Sequence, residues 1–331
     1  MRTFPLIIKL LALLLAALLP SCAMIPGYSE PSDQKIVSAI GFDADSEGIT
    51  VSLKTVATEK TRSELISGKG ATIEIAISSA LADQKSAPEV SHCALAVLGE
   101  GIDDLWLSKI LDYFSRNDSL TAAAYFVSAS NAEKLLSLEG VSGYDLARAI
   151  GEVGENPGMD AESRYYRIAA ARLEEGRRFA LPHFYSDGER AEIYGMTVYI
   201  NDRPALTLTR AESGYYMMIR NLFKGSLISA DSAGISGSIG ITHCRTEYHF
   251  SDEGLKIICR ITPDRDLGGG DHAEELCTHT EKRLSELYEE LSDRYGDIFK
   301  LSKVAERRGA TFDRSTKVIF ECITEEGTNE E

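Results

Sequence analysis

The sequence predicts an α+β ectodomain of two or three mixed sheet-and-helix domains, joined by a helical bridge and tethered to a membrane by a lipid. Three observations predict it. Residues 35–139 alternate between apolar strand-like runs and helix-periodic segments, as a layered α/β or α+β domain does. Residues 140–190 lose that alternation and read as mostly helical and polar, and it resumes over 191–324. The first 22 residues carry Arg2 and Lys9, an unbroken apolar run from Leu10 to Leu19, and then Pro20-Ser21-Cys22.

That leader is too short to span a bilayer and has the layout of a secretory signal peptide. Leu19 stands three residues before Cys22, the arrangement of a bacterial lipoprotein signal, so residues 1–22 are predicted to end in a lipidated cysteine. Acyl chains on Cys22 would each contribute roughly 0.8 kcal/mol of membrane affinity per buried CH₂. The alternative is ordinary cleavage near Ser21-Cys22-Ala23 with a free thiol. Residues 23–34, polar and bearing Pro and Gly, read as a spacer.

Strands are expected at Lys35–Phe42 and Gly48–Ala57, around a turn at Asp43–Glu47. A loop containing Gly68 and Gly70 leads to a helix over Thr72–Asp83 with Ile73, Ala76, Ile77 and Ala80 on one stripe. His92–Leu98 reads as a strand. A helix over 101–116 follows, with Ile102, Leu105, Trp106, Ile110, Tyr113 and Phe114 at i, i+3, i+4 spacing. Ala122–Ser128 is a strand, and Asn131 caps a short helix carrying Leu135 and Leu136. In the second alternating region, strands at Ala191–Ile200 and Ala205–Leu208 flank a turn at Asn201–Pro204, and a helix runs Glu212–Leu222. Residues 242–250 and 255–262 form a hairpin closed at Asp252-Glu253, which sets Thr246 opposite Cys259. Asp271 and Glu274 make a capping box for a long helix whose buried stripe is Leu276, Thr280, Leu284, Leu287, Leu291 and Tyr295. Gly296 ends it, Asp297 caps the next helix (298–307), a last strand covers Lys317–Thr324, and 325–331 is an acidic tail.

Composition narrows the function classes. Removing residues 1–22 takes away two basic residues and no acids, so the formal charge moves from −16 to −18. Such an excess repels nucleic acid and anionic lipid heads, and nucleic acid is excluded as a partner in bulk. Five cysteines follow Cys22, with no C-x-x-C spacing, so no disulfide framework is indicated; Cys244 and Cys259 are expected as free thiols, close to one another on a diagonal. A zinc site is not expected. His243 and His249 fall on the outer hairpin face and Cys244 and Cys259 on the inner one, while His272 and His279 share a helix face but are only two ligands. Gly268–Gly270 precedes a helix N-terminus that Asp271 already caps. Glu286, Glu289, Glu290 and Asp293 read as a solvated face. There is no G-x-S-x-G, H-E-x-x-H, P-loop or G-x-G-x-x-G, and Gly234-Ile235-Ser236-Gly237-Ser238 is not a nucleophile elbow. No catalytic residue, cofactor or metal is therefore expected, and Cys22 is the one functional residue the sequence singles out.

The series of short segments resembles the C-subunit lipoproteins of spore germinant receptors, the GerAC family. The carriers are Ala39-Ile40-Gly41-Phe42-Asp43, Gly70-Ala71-Thr72-Ile73-Glu74 with Ala80, and His92–Leu98 followed by Gly99-Glu100-Gly101-Ile102. They continue through Leu111–Asn117, Ala132–Leu136, Leu181-Pro182, Ile193–Tyr199, Asp202, Leu206–Leu208, Glu212-Ser213-Gly214 and Tyr295–Phe299. Departures are the missing tryptophans after Cys22 and within Ala310–Lys317, since Trp106 is the only one, and a short bridge. The resemblance implies a non-catalytic subunit that acts in germination, anchored through acylated Cys22 outside the spore inner membrane beside membrane-spanning A-type and B-type subunits. Gly41, Gly195 and Gly214 are expected to be backbone requirements. A solute-binding lipoprotein, hinted at by Tyr215-Tyr216, and a surface hydrolase are the alternatives.

Overall fold

Residues 35–57, 62–84, 88–151, 158–229, 238–264 and 273–325 are described by the computed structural model. The strands are β1 Val37–Asp45, β2 Gly48–Thr55, β3 Leu65–Gly70, β4 Leu95–Leu98, β5 Tyr125–Ala129, β6 Phe179–Ser186, β7 Ala191–Ile200, β8 Arg203–Thr209, β9 Ser226–Ser229, β10 Ser238–Ser251, β11 Gly254–Pro263 and β12 Val318–Thr324. The helices are α1 Ile73–Leu81, α2 Asp104–Arg116, α3 Ala132–Leu136, α4 Gly143–Gly151, α5 Tyr165–Ala171, α6 Arg210–Ile219, α7 Ala273–Tyr295 and α8 Leu301–Arg307, with a 3-10 turn at Met159–Glu162. The α+β class expected from the sequence is the class observed.

Eight strands form one sheet in the order β3-β2-β1-β4-β5-β6-β7-β8, and four form a second in the order β12-β11-β10-β9. In the large sheet β1, β4, β5 and β6 run parallel, and antiparallel hairpins extend both ends. On one face α1, α2 and α5 bury Ala76, Ile110, Phe114 and Ile168 against Phe42, Phe126 and Leu181. The other face packs against α3, α4 and α6 and continues without a break into the small sheet and α7. This explains α6, in which every residue from Ser213 to Ile219 is buried: the helix lies inside the continuous core rather than on a surface.

Local rules account for most elements. Asp103, Asn131 and Thr209 cap α2, α3 and α6, with side-chain oxygens accepting from Trp106, Lys134 and Glu212 N–H groups. The turn between β7 and β8 places Asn201 and Asp202 at positive φ, as a tight hairpin requires. Hairpin β10–β11 has the expected register, Thr246 opposite Cys259 and Ser251 opposite Gly254. Leu276, Thr280, Leu284, Leu287 and Leu291 are buried on α7 as expected, and Gly296 ends it at positive φ.

Four expectations are corrected. The strands grouped with the C-terminal domain, β7 and β8, are hydrogen-bonded to β6 in the large sheet, so that sheet crosses the boundary drawn at residue 190. The last part of the helical bridge is β6, Phe179–Ser186; Pro182 is accommodated there because the parallel ladder to β5 is made at His183 and Phe184, just beyond it. The loop with Gly68 and Gly70 is β3. Its glycines serve close packing, since a Cβ on Gly68 would lie 2.2 Å from Ala80 N and one on Gly70 2.6 Å from Ala76 N. Finally, α2 begins at Asp104, so Leu105 is 57% exposed and the buried stripe is Leu107, Ile110, Leu111 and Phe114. Asp271, His272 and Gly268–Gly270 lie outside the described residues.

Candidate functional site

Cys22 also lies outside the described residues, so the site is sought in what the fold assembles elsewhere. The large sheet carries a row of polar side chains on the face that buries Phe126, Phe179 and Leu181. Ser128 of β5, His183 of β6, Thr197 of β7 and Thr207 of β8 line a cavity of about 550 Å³. Strand periodicity places them there: Phe126 and Ser128 share a face, as do Leu181 and His183, and Thr197 and Tyr199. The β4–α2 loop, Gly99 to Asp103, forms one wall, and the Arg203-Pro204 turn another.

The row is hydrogen-bonded end to end. Ser128 Oγ lies 2.8 Å from Thr197 Oγ1 and 3.0 Å from His183 Nδ1. Thr197 Oγ1 is 3.1 Å from both His183 Nδ1 and Thr207 Oγ1. Burial holds the His183 imidazole below its ordinary pKa, so it is neutral at pH 7. At the rim Arg203 pairs with Asp104 at 3.0 Å. The row therefore presents hydroxyl and imidazole groups of no net charge, suited to hydrogen-bonding a neutral polar group. It is not a hydrolytic triad. Both hydroxyl contacts fall on one ring nitrogen, and among the described residues no carboxylate hydrogen-bonds His183 to orient it. Nothing in the amino-acid sequence signals this row, because its members stand up to 79 residues apart on four strands and only the sheet order joins them.

The residues weighed in the sequence fall elsewhere. Tyr215 and Tyr216 are core side chains, 2% and 0% exposed, so neither lines a cleft. His243 and His249 point away from Cys244 and Cys259, which are buried and free. Among the described residues no three His, Cys, Asp or Glu side chains are placed to hold a metal ion. Glu286 pairs with Arg283, and Glu289, Glu290 and Asp293 are exposed. Gly195 answers a backbone requirement, since a Cβ there would lie 1.9 Å from Leu208 O; Gly41 packs against Ala132 and Leu136, and Gly214 is buried in α6.

Three of the segments that carry the family resemblance meet at the C-terminal ends of β1, β4 and β5, in the middle of the large sheet. Asp43, at the end of β1, accepts hydrogen bonds from the N–H groups of Glu100, Ala132 and Glu133, at 3.2, 2.8 and 2.9 Å. It thereby ties the first segment to the Gly99–Ile102 loop and to α3. Ser38 Oγ accepts from Gly143 N at 3.0 Å and docks α4 on the same strand.

No curated protein matches the sequence. Among solved structures, the crystal structure of the GerBC protein matches with a TM-score of 0.46 and 10% sequence identity, over 89% of this chain and 99% of that one. Residues 27–184 match the family described as spore germination protein N-terminal domain. That segment begins just past Cys22 and runs through β1 to β6, taking in Asp43 and its three partners, and this part of the chain is similar to the N-terminal domain of spore germination proteins of the GerAC type.

Proposed function

We propose that this chain is the lipid-tethered, non-catalytic subunit of a spore germinant receptor. Acylated Cys22 holds it at the extracytoplasmic face of the spore inner membrane, beside A-type and B-type membrane-spanning subunits. The observation that carries the reading is the order of parts: an apolar leader ending in Leu19-Pro20-Ser21-Cys22, a short polar spacer, and then a germination domain over residues 27–184. Among the described residues no helix is long and apolar enough to cross a membrane, so a lipid at Cys22 supplies the attachment in this reading. Tethering confines the ectodomain to the membrane plane and raises its effective concentration at the other subunits, so weak polar contacts suffice for assembly.

The test is deletion of the gene in a sporulating host, with complementation by the wild-type chain or Cys22→Ala. Loss of nutrient-triggered germination, rescue by wild type, and poor rescue by Cys22→Ala with the protein moved to the soluble fraction are expected. Normal germination in the deletion strain would overturn a non-redundant receptor role. Full rescue by a soluble Cys22→Ala chain would overturn the tether.

A further inference from the structure

The cavity beside the Ser128–His183–Thr197–Thr207 row holds two polar groups that the row does not satisfy. The Tyr199 phenol lines the cavity and its residue is 3% exposed, yet burial alone acts on it, with no neighbouring charge or hydrogen bond. Phe179 stacks on that ring at a centroid distance of 4.9 Å and an angle of 7°, which holds the phenol in place. Both contacts of the His183 imidazole fall on Nδ1, so Nε2 of this cavity-lining ring has no partner among the described residues. A buried polar group without a partner keeps its desolvation cost until something hydrogen-bonds it. The floor between the two is firmly built: Ser128 and Thr197 are each 4% exposed, and Ser128 Oγ also donates to Pro182 O at 3.3 Å.

Position in the sheet favours a ligand here. Leu98 and Ala129 end the parallel strands β4 and β5, and both line the cavity together with the β4–α2 loop. Open sheets with parallel strands take ligands outside the carboxyl ends of those strands. The volume of about 550 Å³ lies inside the range of small-molecule sites, about 300–1,000 Å³.

Charge selects the class of ligand. No member of the row is ionised at pH 7, and the rim charges are engaged: Arg203 pairs with Asp104 at 3.0 Å, and Asp103 accepts from Trp106 N at 2.9 Å. A carboxylate or an ammonium entering the cavity would lose water without meeting a counter-charge. A hydroxyl group meets no such cost. It accepts from the Tyr199 O–H, and it serves His183 Nε2 in either tautomer because it both donates and accepts. We propose that this cavity is a binding site for a small uncharged polyhydroxy compound of monosaccharide size, whose hydroxyls bond Tyr199 and His183 while its carbon skeleton packs on Leu98, Ile102 and Pro204.

The test is a saturation-transfer NMR titration of the purified chain at pH 7 with glucose and inositol, and with glucuronate and glucosamine as charged analogues of glucose. Binding is read on the chain alone, so membership of a receptor complex does not enter the outcome. Saturable binding of a neutral probe with Kd of about 1 mM is expected, with both charged analogues at least about tenfold weaker. Tyr199→Phe removes a hydroxyl that no protein group uses, so it should leave Tm unchanged and weaken binding about tenfold. Thr207→Trp, at an exposed position of the wall, should fill the cavity and abolish binding. No saturable binding of either neutral probe, equal or tighter binding of a charged analogue, or unchanged affinity in Tyr199→Phe would each overturn the proposal.

Discussion

Asp43 closes the segment Ala39-Ile40-Gly41-Phe42-Asp43, and its carboxylate satisfies N–H groups from two separate parts of the chain, the β4–α2 loop and the first turn of α3. Gly99 is what lets it in. A Cβ on Gly99 would sit 1.8 Å from Asp43 Oδ1 and 2.7 Å from Ala132 N, inside the space the carboxylate occupies. Gly99→Ala should therefore evict the carboxylate and orphan its donors, costing about 2–4 kcal/mol. Urea denaturation with an unchanged m-value would report the loss, and a change under about 0.5 kcal/mol would show that the loop yields freely. Both residues stood out in the sequence as parts of short segments that recur together. Their meeting was not legible, because nothing local to Gly99 records a carboxylate from a strand 56 positions earlier. Gly41 repeats the lesson: its missing side chain leaves room for Ala132 and Leu136, residues the sequence assigned to a helix without saying what that helix would cover.

Elements were legible where a single period governs them. The hairpin β10–β11 has one buried face and a short turn, so alternation alone fixed its register, and the stripe of α7 is repeated often enough to fix its buried side. β3 and β6 were not legible, since the glycines of one and the proline of the other signal a break that tertiary packing overrides. The polar groups that lock elements together were equally invisible. Glu162, in the 3-10 turn, meets Arg220, just after α6, through two contacts of 2.5 and 2.7 Å, and both side chains are nearly buried. Lys300 adds a contact at 3.5 Å and also pairs with Glu174 at 3.1 Å. Burial opposes the Glu162 charge, but Arg220, Lys300 and the Ala180 N–H outweigh it and hold the carboxyl below its usual value of 4.5. An acid with a depressed folded pKa contributes stability that is present above its unfolded value and lost as pH falls through the folded one. The unfolding free energy should thus decline as pH drops below about 4.5, and Glu162→Gln should flatten that decline. Glu162→Ala, which leaves Arg220 buried without its carboxylate, should cost about 3–5 kcal/mol at pH 7. Thermal unfolding at a series of pH values checks both, and parallel acid limbs for Glu162→Gln and wild type would assign the decline to other carboxylates.

At the scale of the whole molecule, charge and chain order indicated a folded ectodomain on a leash, while the way its parts join depends on a core the sequence could not display. One continuous hydrophobic cluster runs from Ala39 and Leu95 in the large sheet, through Tyr216 and Met218 of α6, to Ile257, Leu284 and Phe320 around the small sheet. Tyr216 is the hinge of this arrangement: its ring packs 5.5 Å from Phe299, its hydroxyl receives the Arg220 guanidinium at 2.9 Å, and Arg220 in turn holds Glu162. A boundary between independent domains is marked by a polar, sparsely packed seam. Here the two sheets instead share α6, and neither can expose its side of that helix without stranding Tyr215 to Ile219 in water. The described parts should accordingly unfold together. Differential scanning calorimetry should give one transition with a calorimetric to van't Hoff enthalpy ratio of about 1. Two transitions, the lower one abolished by truncating the chain after α6, would show instead that the small sheet and α7 fold as a separate unit resting on the germination domain. A single transition would mean that a disturbance at the small sheet is felt at β1, and through Asp43 at the Gly99 loop, because no weaker seam lies between them to absorb it.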